Sequence, residues 1–82
     1  MEKDTEKSKE FTDTLLTAYL DFRGFTVKPK INPYKKISFI VSGDLLDNAI
    51  EDFYTNPKIP ILSFCGSYKK IRSMLFNLRE QR

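Results

Sequence analysis

The chain has no histidine and a single cysteine, Cys65, among its 82 residues. The missing imidazole excludes Ser-His-Asp and Cys-His nucleophile arrangements, histidine-ligated zinc, and the commonest general acid–base group. One cysteine closes no internal disulfide, so the expected setting is reducing and cytoplasmic. Tryptophan is absent, and three glycines and four prolines are too few for a low-complexity chain. The apolar runs are short, and none approaches the ~20 residues that a membrane span needs. Gly24, Gly43 and Gly66 stand alone, so the glycine-rich loops that cradle phosphates are missing.

What is present fits one small α+β domain. Apolar residues make up 40% of the chain, with seven Phe and four Tyr, enough for one core. The net charge is +3. Its distribution says more than its total. Between Phe22 and Gly43 there is no acid, but there are Arg23, Lys28, Lys30, Lys35 and Lys36. Between Phe53 and Arg79 there is again no acid, with Lys58, Lys69, Lys70, Arg72 and Arg79. Such stretches permit a partner that carries phosphates.

The element pattern reads α-β-β-α-(β)-α. Met1–Glu10 alternates acid and base and is expected to be a flexible charged tail, unlike a signal peptide; residues 11–82 form the domain. Thr12 is the expected N-cap of a helix over Asp13–Arg23, with Phe11 and Leu16 at hydrophobic-staple spacing. Gly24 suits the left-handed position after that helix, with Leu20 and Phe25 as the apolar pair of a Schellman motif. Residues 25–42 alternate as a β-hairpin around the turn Asn32-Pro33-Tyr34-Lys35, and Pro29 makes the first strand an edge strand or one with a bulge. Asp44 is the expected cap of a second helix, whose stripe is Leu45, Leu46, Ala49, Ile50, Phe53 and Tyr54. Residues 59–64 read as a short third strand. Ser67 then caps a last helix with the stripe Tyr68, Ile71, Met74, Leu75 and Leu78. The simplest packing is a hairpin-based antiparallel sheet with helices over one face.

Two surfaces do not follow from core building. The outward hairpin face carries Lys28, Lys30 and Lys36. It is either a phosphate-binding surface or a set of lysines that guards an edge strand from aggregation. The last helix turns Phe76 away from its apolar stripe. Arg72 lies one turn before it, at cation–π range, and Lys69, Ser73 and Glu80 are its neighbours on the helical wheel. This surface could stack a base or anchor a protein interface, or Phe76 could fold against a neighbouring loop. Cys65 is expected to be inert without a histidine base. Asp44, Asp47, Glu51 and Asp52 lack the spacing of a calcium loop, so no metal is expected there. The tyrosines at 19, 54 and 68 belong to the core or its rim.

The run Phe11-Thr12, Leu16, Ala18-Tyr19-Leu20 and Gly24-Phe25, followed by Phe39, Phe53-Tyr54, Ile61 and Lys70-Ile71-Arg72, resembles a small domain-of-unknown-function family of bacteria and their viruses. The likeness covers residues 11–79, and the chain departs from it at Pro29 and Pro33. The resemblance implies a helix ending in Gly-Phe, a hairpin, a helix and a basic C-terminal helix, and a viral or mobile-element setting. It implies no activity.

The expected function is a non-enzymatic binding module without cofactor, metal or membrane. Nucleic acid, a nucleotide or another phosphate-bearing ligand would be held by Lys28, Lys30, Lys36, Lys69 and Arg72. The alternative is a protein-interaction module, a homodimer or an inhibitor of a host factor, anchored on the last helix by Phe76 and Arg79.

Overall fold

The computed structural model describes residues 7–34 and 36–81. Its elements are β1 (Lys7–Phe11), α1 (Thr14–Phe22), β2 (Thr26–Ile31), β3 (Ile37–Gly43), α2 (Leu46–Phe53) and α3 (Ile61–Gln81). The fold is α+β, with a three-stranded antiparallel sheet in the order β1-β3-β2. Phe39 and Val41 are buried on the face that the helices cover, while Thr26, Lys28 and Lys30 of the other face are exposed.

Helix α1 has both of its ends fixed. Asp13, one residue later than the expected Thr12, is the N-cap: its Oδ1 accepts from the N–H groups of Leu15 and Leu16 at 2.9 and 3.2 Å. An ionised cap also suits the positive end of the helix. At the other end Phe25 N–H donates to the Leu20 carbonyl and Gly24 N–H to the Asp21 carbonyl, both at 3.0 Å, with Gly24 at φ +99°. This is the Schellman motif that the sequence predicts.

The hairpin also forms as expected. Pro29 is tolerated because β2 is an edge strand, where a missing N–H breaks no central ladder. At the turn the Asn32 side-chain carbonyl accepts from Tyr34 N–H and Lys36 N–H, each at 2.9 Å. Asn32 N–H donates to the Lys36 carbonyl at 2.9 Å, so the backbone of Lys36 is held on both sides.

The third strand lies elsewhere than expected. Residues 59–64 do not form a strand; β1 does, built from residues 7–11 of the expected tail. Residues 1–6 of that tail lie outside the described residues. The hairpin leaves one edge of the apolar strand β3 unpaired, and β1 fills it in the register Lys9↔Val41, Glu10↔Ile40 and Phe11↔Phe39. Lys7 and Lys9 point to the helix-covered side. They keep their ammonium groups near water by reaching Asp47 of α2, at 3.1 and 2.8 Å.

Helix α2 starts at Leu46 rather than with a cap at Asp44. Its N-cap is Leu45 in the left-handed region (φ +61°), with no side-chain cap bond. Leu46 and Ala49 are buried, whereas Leu45 and Tyr54, the two ends of the expected stripe, are exposed. Helix α3 is 21 residues long and contains Ser67, the expected cap, in its interior. The Pro60 carbonyl accepts from Phe64 N–H at 3.1 Å, so the helix begins after a proline whose N–H would have been unused. Phe64, Tyr68, Ile71, Leu75 and Leu78 follow a 4-3-4-3 spacing along its inner side. Ile71 is fully buried, in a cluster with Ala18 and Phe39, which joins α3 to α1 and the sheet. Lys70 of α3 pairs with Asp21 of α1 at 2.9 Å. A second cluster gathers Leu16, Tyr19, Leu20, Val41, Leu46 and Ala49. Among the described residues no helix is long and apolar enough to cross a membrane.

Candidate anion-binding cleft

The register of the sheet redistributes the expected basic face. Glu10 of β1 stands opposite Ile40, which stands opposite Lys28. An acid therefore sits on the outward face that the hairpin alone makes wholly cationic. The Glu10 carboxylate accepts a hydrogen bond from the Ser38 hydroxyl and pairs with Lys30 at 3.5 Å. The Ser38 hydrogen bond, helped by the Lys30 charge, holds the Glu10 carboxyl below its ordinary value. Lys28 stays exposed on this face. Lys36 lies beyond the last pairing of β2 with β3, at the rim of the sheet.

At that rim Lys36 meets Arg79, and the two line one cleft of about 390 Å³. The sequence alone puts Lys36 on the hairpin face and Arg79 on the last helix, two separate surfaces. Lys36 is positioned by the Asn32 turn, and Arg79 by the last turn of α3. Thr12 and Thr14 add hydroxyl groups from the β1–α1 junction and the first turn of α1, and Ile37, Phe39 and Leu75 form the apolar floor. Among the described residues no carboxylate lines the cleft. Because Asp13 is the cap, its carboxylate takes the N–H groups of Leu15 and Leu16, and the Thr12 side chain is not used for capping.

A second concavity of about 270 Å³ is lined by Arg23, Gly24, Ser42 and Asp44 among others. Arg23 is committed elsewhere: it donates to the Tyr19 hydroxyl at 2.7 Å and to Asp52 at 3.1 Å, and stacks over the Tyr19 ring. The Tyr19 bond and then Asp52 raise its pKa further. With its cation paired and Asp44 on its wall, this concavity suits an anion less well.

The remaining predicted residues lie along α3. Lys69, Arg72 and Phe76 are exposed. Arg72 turns toward Tyr68 rather than Phe76: it donates to the Tyr68 hydroxyl at 3.1 Å and lies 5.8 Å from that ring centre. Phe76 is 62% exposed, and at the start of the same helix Ile61 and Leu62 are 66% and 83% exposed. Cys65 is half-buried in α3. Asp47 and Asp52 of α2 serve as ion-pair partners. Asp47 holds Lys7 and Lys9, whose hydrogen bonds, Lys9 first, depress its pKa; its Oδ1 is shielded from water and is compensated by the Lys9 ammonium. Among the described residues no cluster of acids, cysteine or histidine is arranged to hold a metal ion.

Compared with known protein families, curated proteins and solved structures, the chain matches none.

The sequence reading missed Thr12 and Thr14 as cleft residues. Thr12 was assigned to the helix cap, and only the position of Asp13 as cap releases it. The meeting of Lys36 with Arg79 carries no sequence signal, since it depends on how α3 crosses the sheet.

Proposed function

We propose that the chain is a non-enzymatic binding module for nucleic acid or another phosphate-bearing ligand, encoded in a bacterial or viral setting. Lys36 and Arg79 in the cleft provide the principal contacts, Lys69 and Arg72 extend the surface along α3, and Lys28 extends it across the sheet. The observation that supports this reading most is the cleft itself, where two cations and two hydroxyl groups share one concave wall, with no carboxylate among the described residues that line it. Phosphate contacts of this kind give affinity that is insensitive to sequence and sensitive to salt. Lys30, held by Glu10, contributes less than the sequence alone implies.

The test is fluorescence anisotropy with labelled single-stranded and duplex DNA and RNA over a series of salt concentrations. Log affinity should fall linearly with log salt. The double variant Lys36→Gln/Arg79→Gln should lower the slope by about 1.8 on duplex DNA, since each lost contact removes roughly 0.9. Absence of binding at low salt, or a slope the double variant leaves unchanged, overturns the reading.

A second reading is supported by the exposed Ile61, Leu62 and Phe76 of α3. Here α3 would dock a protein, either a second copy or a host factor. Phe76→Asp should then abolish association in analytical ultracentrifugation while the circular dichroism spectrum stays unchanged. Association that survives this change argues against it.

A further inference from the structure

The cleft is specific in a way that a flat basic surface is not. An internal phosphodiester carries one negative charge, and its chain continues in both directions. A phosphate monoester carries about −1.5 to −2 at pH 7 and presents three acceptor oxygens at the end of a molecule. The cleft offers two positive charges, from Lys36 and Arg79, and two hydroxyl donors, from Thr12 and Thr14. It is bounded on one side by α3 and on the other by the start of β3 and of α1. Below the polar wall lies the apolar floor of Ile37, Phe39 and Leu75. Its volume of about 390 Å³ lies within the range of small-molecule sites.

Charge, donor number and floor point the same way. We propose that this cleft is a site for a phosphate monoester joined to a flat apolar body, the chemistry of a nucleoside monophosphate or of the terminal nucleotide of a strand. The phosphate lies between Lys36 and Arg79, with the Arg79 guanidinium able to grip two oxygens at once. The threonine hydroxyl groups complete its donors, and the base covers the half-buried Ile37 and Leu75. The floor prefers a nucleotide to inorganic phosphate, and the cationic wall prefers a nucleotide to a nucleoside. This inference rests on the phosphate-binding reading above and narrows it to one chemical end group.

The experiment uses the full chain and two kinds of probe. In the first arm adenosine 5′-monophosphate, adenosine and inorganic phosphate are titrated calorimetrically. In the second arm an oligonucleotide is compared with and without a 5′-phosphate by anisotropy, with adenosine 5′-monophosphate as competitor. The monophosphate should bind about tenfold or more tightly than adenosine, the value expected when charge-assisted hydrogen bonds are added. Lys36→Gln and Arg79→Gln should each weaken it about tenfold, whereas Lys58→Gln, remote from the cleft, should not. Displacement of the 5′-phosphorylated strand by the mononucleotide assigns the site to strand ends as well as free nucleotides. Mononucleotide binding without any preference for the phosphorylated strand assigns it to the free nucleotide. If strands bind in a salt-dependent way but the monophosphate neither binds nor competes, the monoester site is wrong and the broader reading stands. If nothing binds at low salt, both fall.

Discussion

Two adjacent residues, Gly66 and Ser67, test where α3 begins. If α3 began at Ser67, that hydroxyl would cap the helix and Gly66 would precede it. In the structure α3 runs from Ile61, and both residues lie in its interior. The two geometries assign opposite signs to Ser67→Ala. Losing a cap costs about 1 kcal/mol; replacing an interior helical serine by alanine gains roughly 0.5 kcal/mol. Gly66 has no positive φ, and a Cβ added there meets nothing within 4 Å. Gly66→Ala therefore gains about 0.8–1.0 kcal/mol of helix propensity without a steric cost. The double variant should be more stable by roughly 1.3–1.5 kcal/mol, summing the two propensity gains. For a domain of this size each kcal/mol moves the melting temperature by about 4–8 °C, so a rise of about 5–12 °C is expected. Urea unfolding followed by circular dichroism, with a calorimetric melt alongside, resolves such a change. A Ser67→Ala protein that loses about 1 kcal/mol, with Gly66→Ala neutral or harmful, would refute the long helix.

Two further changes probe the sheet. Gly43 sits at φ +152°, and a Cβ there falls 2.5 Å from Cδ1 and 3.0 Å from Cε1 of Phe25. Gly43→Ala should destabilise by about 2–4 kcal/mol from overpacking and backbone strain together, and an unchanged melting temperature would contradict the close approach. The attachment of β1 should weaken in acid. Glu10 and Asp47 have folded pKa values below their ordinary 4.5 and 3.8, so their stabilisation is present above those values and lost as pH falls through the depressed ones. Amide exchange in β1 should therefore rise, relative to the β2–β3 hairpin, on going from neutral pH to below about 4. The double variant Glu10→Gln/Asp47→Asn should lose that dependence.

Where local chemistry decides the geometry, the fold was legible. The Leu20–Gly24–Phe25 pattern specifies the end of α1 because a glycine in the left-handed region and a C3–C″ apolar pair are needed there whatever surrounds them. The hairpin was legible because period-2 alternation and the Asn-Pro turn agree, and Pro29 correctly signals an edge. Residues 59–64 failed for a physical reason. Ile59, Ile61 and Ser63 mimic alternation over a few residues, a length at which strand and helix patterns overlap. The longer signal was present: Phe64 lies four residues before Tyr68 and seven before Ile71, which extends the helical stripe backward through Gly66. A lone glycine lowers helix propensity but does not end a helix held by its inner face.

Strand β1 was not legible, and its position changes the functional reading. Lys7-Ser8-Lys9-Glu10 has no apolar residue to mark a buried face, so its own sequence favours solvent. It becomes a strand because β3, an apolar strand, needs a partner on its second edge, and that requirement resides in Ile37, Phe39 and Val41 rather than in β1. Once in place, β1 brings Glu10 beside Lys30 and Ser38 and lowers the positive potential of the sheet face. It also fixes Thr12 at the mouth of the cleft. The same strand therefore weakens one candidate phosphate surface and completes another. This is the argument for looking for the ligand at the seam of Lys36 and Arg79 rather than across the sheet.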